Sequence, residues 1–408
     1  MSSNPGTTQP RNLQNPGTSE PRNPGTHVVR DRLSRLGLSD LAAKLDARER
    51  LSLEDGVQLF NCPDLHAVGW LANRERERRH GALTYYNYNL RLEATNVCVA
   101  SCLFCSFARL KPGDADAYTM TLDQVLGKLR QRADQPLTEV HVVNGLHPDL
   151  PFDYYLDLLR GLKQVRPGIH LKCFTAVEIA FFADLYTMTD EGVLRALMAA
   201  GLDSLPGGGA EIFAPRVRRK IAHDKCDADR YLAIHAIAHR LGLRTNVTML
   251  YGHIETMEER VDHMMRTRAL QDDTGGLQAF IPLAFHPDNN QMRKLPAPSA
   301  SDTLRVHAVA RLMCDNIPHV KAFWIATGVD VAQISLWYGV DDLDGTVQEE
   351  KIYHMAGART PEIMTTSAIR RLIRRAGRLP VERDTLYNVV TPPEAADDAV
   401  AVATVGTH

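Results

Sequence analysis

The chain predicts an α/β protein, a TIM-like (β/α)8 barrel with an N-terminal helical extension and disordered termini. After Gly81, short β-rich runs alternate with amphipathic helical stretches, which is the pattern of βαβ units on a parallel sheet. About eight such units fall within roughly 270 residues, the scale of a barrel. Unusual polar residues follow one predicted strand after another, at the rim where barrels carry their chemistry. A doubly wound open sheet is the weaker alternative. No G-x-G-x-x-G follows the first strand, so the dinucleotide fingerprint is missing.

Residues 1–27 hold the sequence NPGT three times, at Asn4, Asn15 and Asn23. Rich in turn formers and poor in apolar residues, this segment predicts a disordered tail. Residues 28–80 read as helical, with Leu33, Leu36 and Leu38 ahead of an amphipathic stretch and a capping box at Ser52–Asp55. Residues 81–390 form the predicted barrel with its C-terminal helices. Its strands are expected at 89–95, 139–145, 170–176, 203–208, 244–250, 278–285, 320–327 and 338–344. Helices are expected at 121–133, 152–166, 189–200, 227–241, 256–272 and 302–316. Residues 391–408 read as a second disordered tail.

Hydrophobic residues make up 44% and charged residues 24% of the 408 positions, a globular composition. No apolar run reaches the roughly 20 residues of a membrane span. The N-terminus lacks the apolar core of a secretory signal. A net charge of −2 gives no electrostatic footprint for nucleic acid. Seven cysteines, mostly scattered, suit a reducing cytosol better than a disulfide framework. The chain is therefore expected in the cytoplasm, acting on a small molecule.

Cys98, Cys102 and Cys105 form a C-x3-C-x2-C triplet. Soft thiolates suit an iron–sulfur cluster, and a [4Fe–4S] cube normally takes four. Three leave one iron open to a substrate or cofactor, which points to chemistry more than to electron storage. Structural zinc wants four closed ligands, and no second close pair follows here. A non-catalytic iron–sulfur carrier is the alternative from another class, and the absent fourth cysteine argues against it.

The triplet with Phe104 before its third cysteine resembles the signature of radical S-adenosylmethionine (SAM) enzymes. Together TNVCVASCLFCSFAR, VNGLHPDLPFDYY, FTAVEI, SLPGGGAEIF, TMLYGHIET, AFIPLAFHP and DDLDGTVQEEKIYHMAGA resemble the aminodeoxyfutalosine synthases of menaquinone biosynthesis. The resemblance spans roughly residues 50–390. Sister families, the cyclic dehypoxanthinyl futalosine synthases and the deazaflavin-forming synthase subunits, come second. The resemblance implies a radical SAM barrel whose cube is held by Cys98, Cys102 and Cys105, with SAM on the open iron as co-substrate. It also implies a low-potential electron donor such as flavodoxin or ferredoxin. The implied reaction adds the 5′-deoxyadenosyl radical to 3-[(1-carboxyvinyl)oxy]benzoate. Rearrangement and loss of the carboxyl carbon give 6-amino-6-deoxyfutalosine, an adenosyl-type transfer.

On this basis Phe104, Asn144, Gly145 and Glu178 are candidate SAM contacts. Asn144 stands where this branch usually has glycine, and Asn enters left-handed backbone space more easily than most residues. Arg109, Glu211, His253, Glu255 and His286 are candidate substrate or catalytic groups. Each has an ordinary alternative role. Glu178 would favour a helix N-terminus through the dipole, Arg109 would cap loop carbonyls, and a rim histidine is often merely hydrogen-bonded.

Overall fold

A computed structural model describes residues 24–391. The tail calls at 1–23 and 392–408 lie outside them, and the helix Pro24–Arg35 begins inside the segment expected to be a disordered tail. Seven parallel strands run in chain order around the main sheet. They are β2 (Asn89–Leu92), β3 (Glu139–Val142), β4 (His170–Cys173), β5 (Ser204–Leu205), β6 (Arg244–Tyr251), β7 (Leu277–Ala284) and β8 (His319–Val320). A second sheet has the order β11-β10-β1-β9, from β1 (Leu83–Asn87), β9 (Asp342–Gly345), β10 (Leu379–Arg383) and β11 (Val389–Thr391). Single parallel bridges, Lys321 to Asp342 and Leu90 to Gln348, place the β9 segment between β8 and β2. The eighth barrel position is thus filled by a strand whose main partner, β1, belongs to the other sheet.

Helices fall between the strands and cover the barrel. Their starts are set by side-chain caps. Thr121 with Gln124, Thr175 with Glu178, Thr256 with Glu259 and Ser299 with Asp302 each form a reciprocal capping box. The expected box at Ser52 and Asp55 is present as well. Four helices, Pro24–Arg35, Ser39–Ala47, Leu53–Asn61 and Leu65–His80, precede β1, and the last packs on the helix Ala300–Met313. Leu59, Val68 and Leu71 are wholly buried there, each stabilising the contact by about 1.5–3 kcal/mol. Arg76, fully buried, donates to the carbonyls of Leu83 and Val340 and to Thr84 Oγ1, tying these helices to β1 and to the turn before β9.

Two strand expectations need correction. The run 320–327 gives only His319–Val320 as strand, and Trp324–Thr327 is a helical turn. A short buried apolar run has no periodicity that separates the two states. Here Trp324 Nε1 donates to Gly345 O at 2.9 Å, an anchor that a straight strand would not make. The strand β1 was not anticipated, because Tyr88 alone separates it from β2 and the two read as one run.

Candidate active site

The loop after β2 carries the cysteines and is held by backbone bonds before any metal is considered. Cys98 N–H donates to Arg109 O at 2.8 Å, Val99 N–H to Leu146 O at 3.0 Å and Leu103 N–H to Ile221 O at 2.9 Å. Ser101 N–H donates to Asp224 Oδ2 at 2.7 Å. Cys98, Cys102 and Cys105 all face a cavity of about 260 Å³ at the strand C-termini. No other cysteine lines it. Burial pushes all three thiols above their ordinary pKa, Cys102 to about 11, against the pull of the Lys225 ammonium. A single tetrahedral zinc with 2.3 Å bonds would gather thiolates to about 3.8 Å of one another. Among the described residues, the trio gathered within 4.8 Å is instead His80, His319 and Asp341, at the end of the helix Leu65–His80, the start of β8 and just before β9.

Around the cavity, Asn144 and Gly145 follow β3. Asn144 Oδ1 accepts from Ala94 N–H at 2.7 Å, while its buried Nδ2 has no partner. Gly145 N–H donates to Thr95 O at 2.8 Å. A Cβ on Gly145 would overlap the Val97 carbonyl, so only glycine lets the β3 loop lie against the cysteine loop. Glu178 sits on the helix Ala176–Leu185 and receives Thr175 N–H, Thr175 Oγ1–H and Asn144 N–H at 2.7, 3.0 and 3.0 Å. Burial still raises its pKa to about 7, against those bonds. Its alternative role at a helix N-terminus is thus realised, at the edge of the cavity.

Glu211, held at φ +50°, accepts from Lys225 Nζ at 2.7 Å. Lys225 also lies 5.2 Å from the Phe104 ring centroid. Burial opposes its charge, yet Cys102 and Glu211 outweigh that and hold its pKa above the usual lysine value. His286 bonds through Nε2 to Ala326 O at 2.8 Å and meets Tyr353 edge-on at 5.2 Å. Phe104, Glu211 and His286 all line the cavity.

Three candidates do not face it. Arg109 donates through Nε to the carbonyl of Ala115 and through Nη1 to those of Ser106, Phe107 and Ala108, so its guanidinium stitches its own loop. His253 and Glu255 point back into the loop after β6. His253 bonds to Leu250 O and Ile254 N–H, and Glu255 accepts from Gly252 N–H, His253 N–H and Arg260. Burial would raise Glu255, but His253 and Arg260 hold it at about 2. Both are clamps of the loop, and the substrate role expected for them is withdrawn.

Other groups in the cavity went unnoticed in the sequence. Arg91, His141 and Lys172 stand in register on β2, β3 and β4 and all line the cavity, with Lys321, Asp344 and Tyr353. The available signal was a charge inside a largely buried strand, as in NLRL and HLKC, where all but one side chain of each is buried.

Such a cavity belongs to the class of barrel enzymes built around an iron–sulfur cluster. The Radical SAM superfamily profile matches residues 92–266, and that of the CofH/MqnC C-terminal region matches 274–396. The chain is 50% identical to the aminodeoxyfutalosine synthase of Thermus thermophilus, over 86% of this chain and 96% of that one. It is 44% identical to the one from Streptomyces coelicolor, over 88% and 96%. Lower identity, 41% over 80% of this chain and 90% of the other, relates it to a 5-amino-6-(D-ribitylamino)uracil–L-tyrosine 4-hydroxyphenyl transferase of Methanopyrus kandleri. Among solved structures, methylornithine synthase superposes with TM-score 0.67 at 15% identity, covering 83% of this chain and 97% of that one, a likeness of fold. The chain belongs to the radical SAM superfamily and, within it, to the family these synthases represent.

Enzymes of this superfamily use a [4Fe–4S] cluster and SAM. The donor set here fits that pair. Three free thiols share one cavity, no fourth joins them, and the unpartnered Asn144 Nδ2 lies in the same wall.

Proposed function

We propose that this chain is an aminodeoxyfutalosine synthase, joining the adenosyl group of SAM to 3-[(1-carboxyvinyl)oxy]benzoate with rearrangement and carboxyl loss. Identity of 50% and 44% to two synthases across nearly their whole length carries this reading. Cys98, Cys102 and Cys105 are the cluster ligands in it. When bound, the cluster supplies the electron that cleaves SAM to the 5′-deoxyadenosyl radical.

The protein's own residues hold and shield. Asn144 and Gly145 would hold the methionine end of SAM, with the unpartnered Asn144 Nδ2 as a free donor there. Phe104, braced by Lys225, packs beside the cluster, and Glu178 fixes the Asn144 backbone. Glu211 and His286 line the wall facing the reacting carbons. Burial of this wall excludes the water that would quench a carbon radical. The electron donor is a flavodoxin- or ferredoxin-type protein, and the compartment is the cytoplasm. No helix among the described residues is long and apolar enough to cross a membrane.

Anaerobically reconstituted protein given SAM, a reductant and the enolpyruvyl benzoate should form the adenosyl adduct in step with methionine. Free 5′-deoxyadenosine with no adduct would sink the reading.

A further inference from the structure

We propose that Arg91 and Lys321 receive an aryl carboxylate of the second substrate, whose ring lies against the Phe323–Tyr353 pair. The inference deepens the synthase activity proposed above and rests on it.

Charge in the cavity floor is unbalanced. Lys172 and Glu139 form a closed pair at 2.6 Å, both almost wholly buried. Arg91 Nη2 and Lys321 Nζ share one carboxylate, Asp344, at 3.1 Å each. The next anion, Asp342, lies 3.9 Å from Lys321 and is already engaged by the buried Arg383 at 2.7 Å. Within ion-pairing distance the two cations thus share one carboxylate that no other cation claims, and a buried cation paired only in part is costly. An anionic ligand removes that cost.

The geometry also selects the anion. Arg91 Nε is buried and has no hydrogen-bond partner, and neither has His141 Nε2 on the adjacent strand in register with it. A guanidinium edge with a free Nε–H is the fork that matches a carboxylate in two bonds. The Arg91 guanidinium lies 4.5 Å from the Phe323 centroid, and Phe323 meets Tyr353 edge-on at 5.6 Å. These residues line the cavity that holds the three thiols. An aliphatic acid would satisfy the cations but leave the rings unused. An aromatic acid satisfies both.

The test uses anaerobically reconstituted holoenzyme. For Arg91→Gln, KM for the enolpyruvyl benzoate should rise about tenfold or more, while the electron paramagnetic response of the reduced cluster to SAM stays unchanged. Arg91→Lys keeps the charge beside Asp344 but loses the fork, and should fall between. As a probe independent of turnover, 3-hydroxybenzoate should bind the wild type and lose affinity in both variants and in Lys321→Met, whereas phenol should bind all four alike. A folded Arg91→Gln or Lys321→Met protein with wild-type KM and wild-type 3-hydroxybenzoate affinity overturns the proposal and leaves the synthase activity standing. Arg91-dependent benzoate binding in a protein that forms no adenosyl adduct overturns the activity and leaves the subsite standing.

Discussion

Glu178 and Glu255 are both buried carboxylates that accept three hydrogen bonds, yet they titrate at opposite ends of the carboxyl range. Against its burial, His253 and then Arg260, at 2.6 Å, bring Glu255 down to about 2; burial raises Glu178 to about 7 against its hydrogen bonds, with no cation to oppose it. The consequences for stability have opposite signs. Glu255, depressed on folding, contributes stability above its unfolded value near 4.5 and loses it as pH falls toward about 2. Glu255→Gln should therefore cost about 3 kcal/mol at pH 7, with the gap to wild type narrowing in acid, as read from denaturant midpoints.

Glu93 is the reverse case. Burial and then Glu350 push it to about 8, against Arg91 and Lys351 and with Glu349 adding to the rise. Raised on folding, it stabilises fully below its unfolded value and loses this as pH rises toward about 8. Glu93→Gln should leave Tm nearly unchanged at pH 5 and raise it by about 3 °C or more at pH 8. Equal shifts at the two pH values would refute this.

At the scale of the element, the cysteine loop is held in shape by its own protein bonds. Arg109 gathers four carbonyls of that loop, and its backbone closes on Asn96 and Cys98. Arg109→Ala should leave the apoprotein folded, with Tm only slightly lower, but should lower the iron retained after reconstitution and gel filtration. Unchanged iron content would show that the loop needs no such brace.

The helix start at Ser52 was legible in the sequence, because a Ser answered three residues later by Asp is a local signal, whereas the same signal at Thr175 and Glu178 went unread and the helix Ala176–Leu185 was not expected. The cysteine triplet was legible for the same reason. Arg109, His253 and Glu255 misled because a sequence does not say whether a rim side chain faces the cavity or turns back on its own loop. Arg91 and Lys172 were missed because the strand pattern records only that a residue is buried. The ladder register that sets Arg91, His141 and Lys172 side by side is a long-range fact.

Over the whole molecule, barrel closure depends on β9, which is shared between two sheets. Gly345 pairs with Asn87, and a Cβ there would run into the Asn87 carbonyl and the Asn89 side chain. Gly345→Ala should destabilise by about 2–3 kcal/mol, the cost of overpacking a fixed core, and urea unfolding would show it as a lower midpoint. A midpoint equal to wild type would mean that the seam between the sheets yields easily.

The same seam gives the protein an order of assembly. Tyr86 on β1 and Glu382 on β10 meet although 296 positions separate them. At about 5–20 residues per second, a ribosome delivers the second at least about 15 seconds after the first. β1 lacks both of its neighbours until β9 emerges and lacks β10 for the whole interval, and until β9 arrives the thiol loop just behind it hangs on a ring that is still open. A strand made late, β9, therefore closes the ring around thiols made far earlier, and it decides when those thiols pass from an exposed stretch of nascent chain to a guarded chamber.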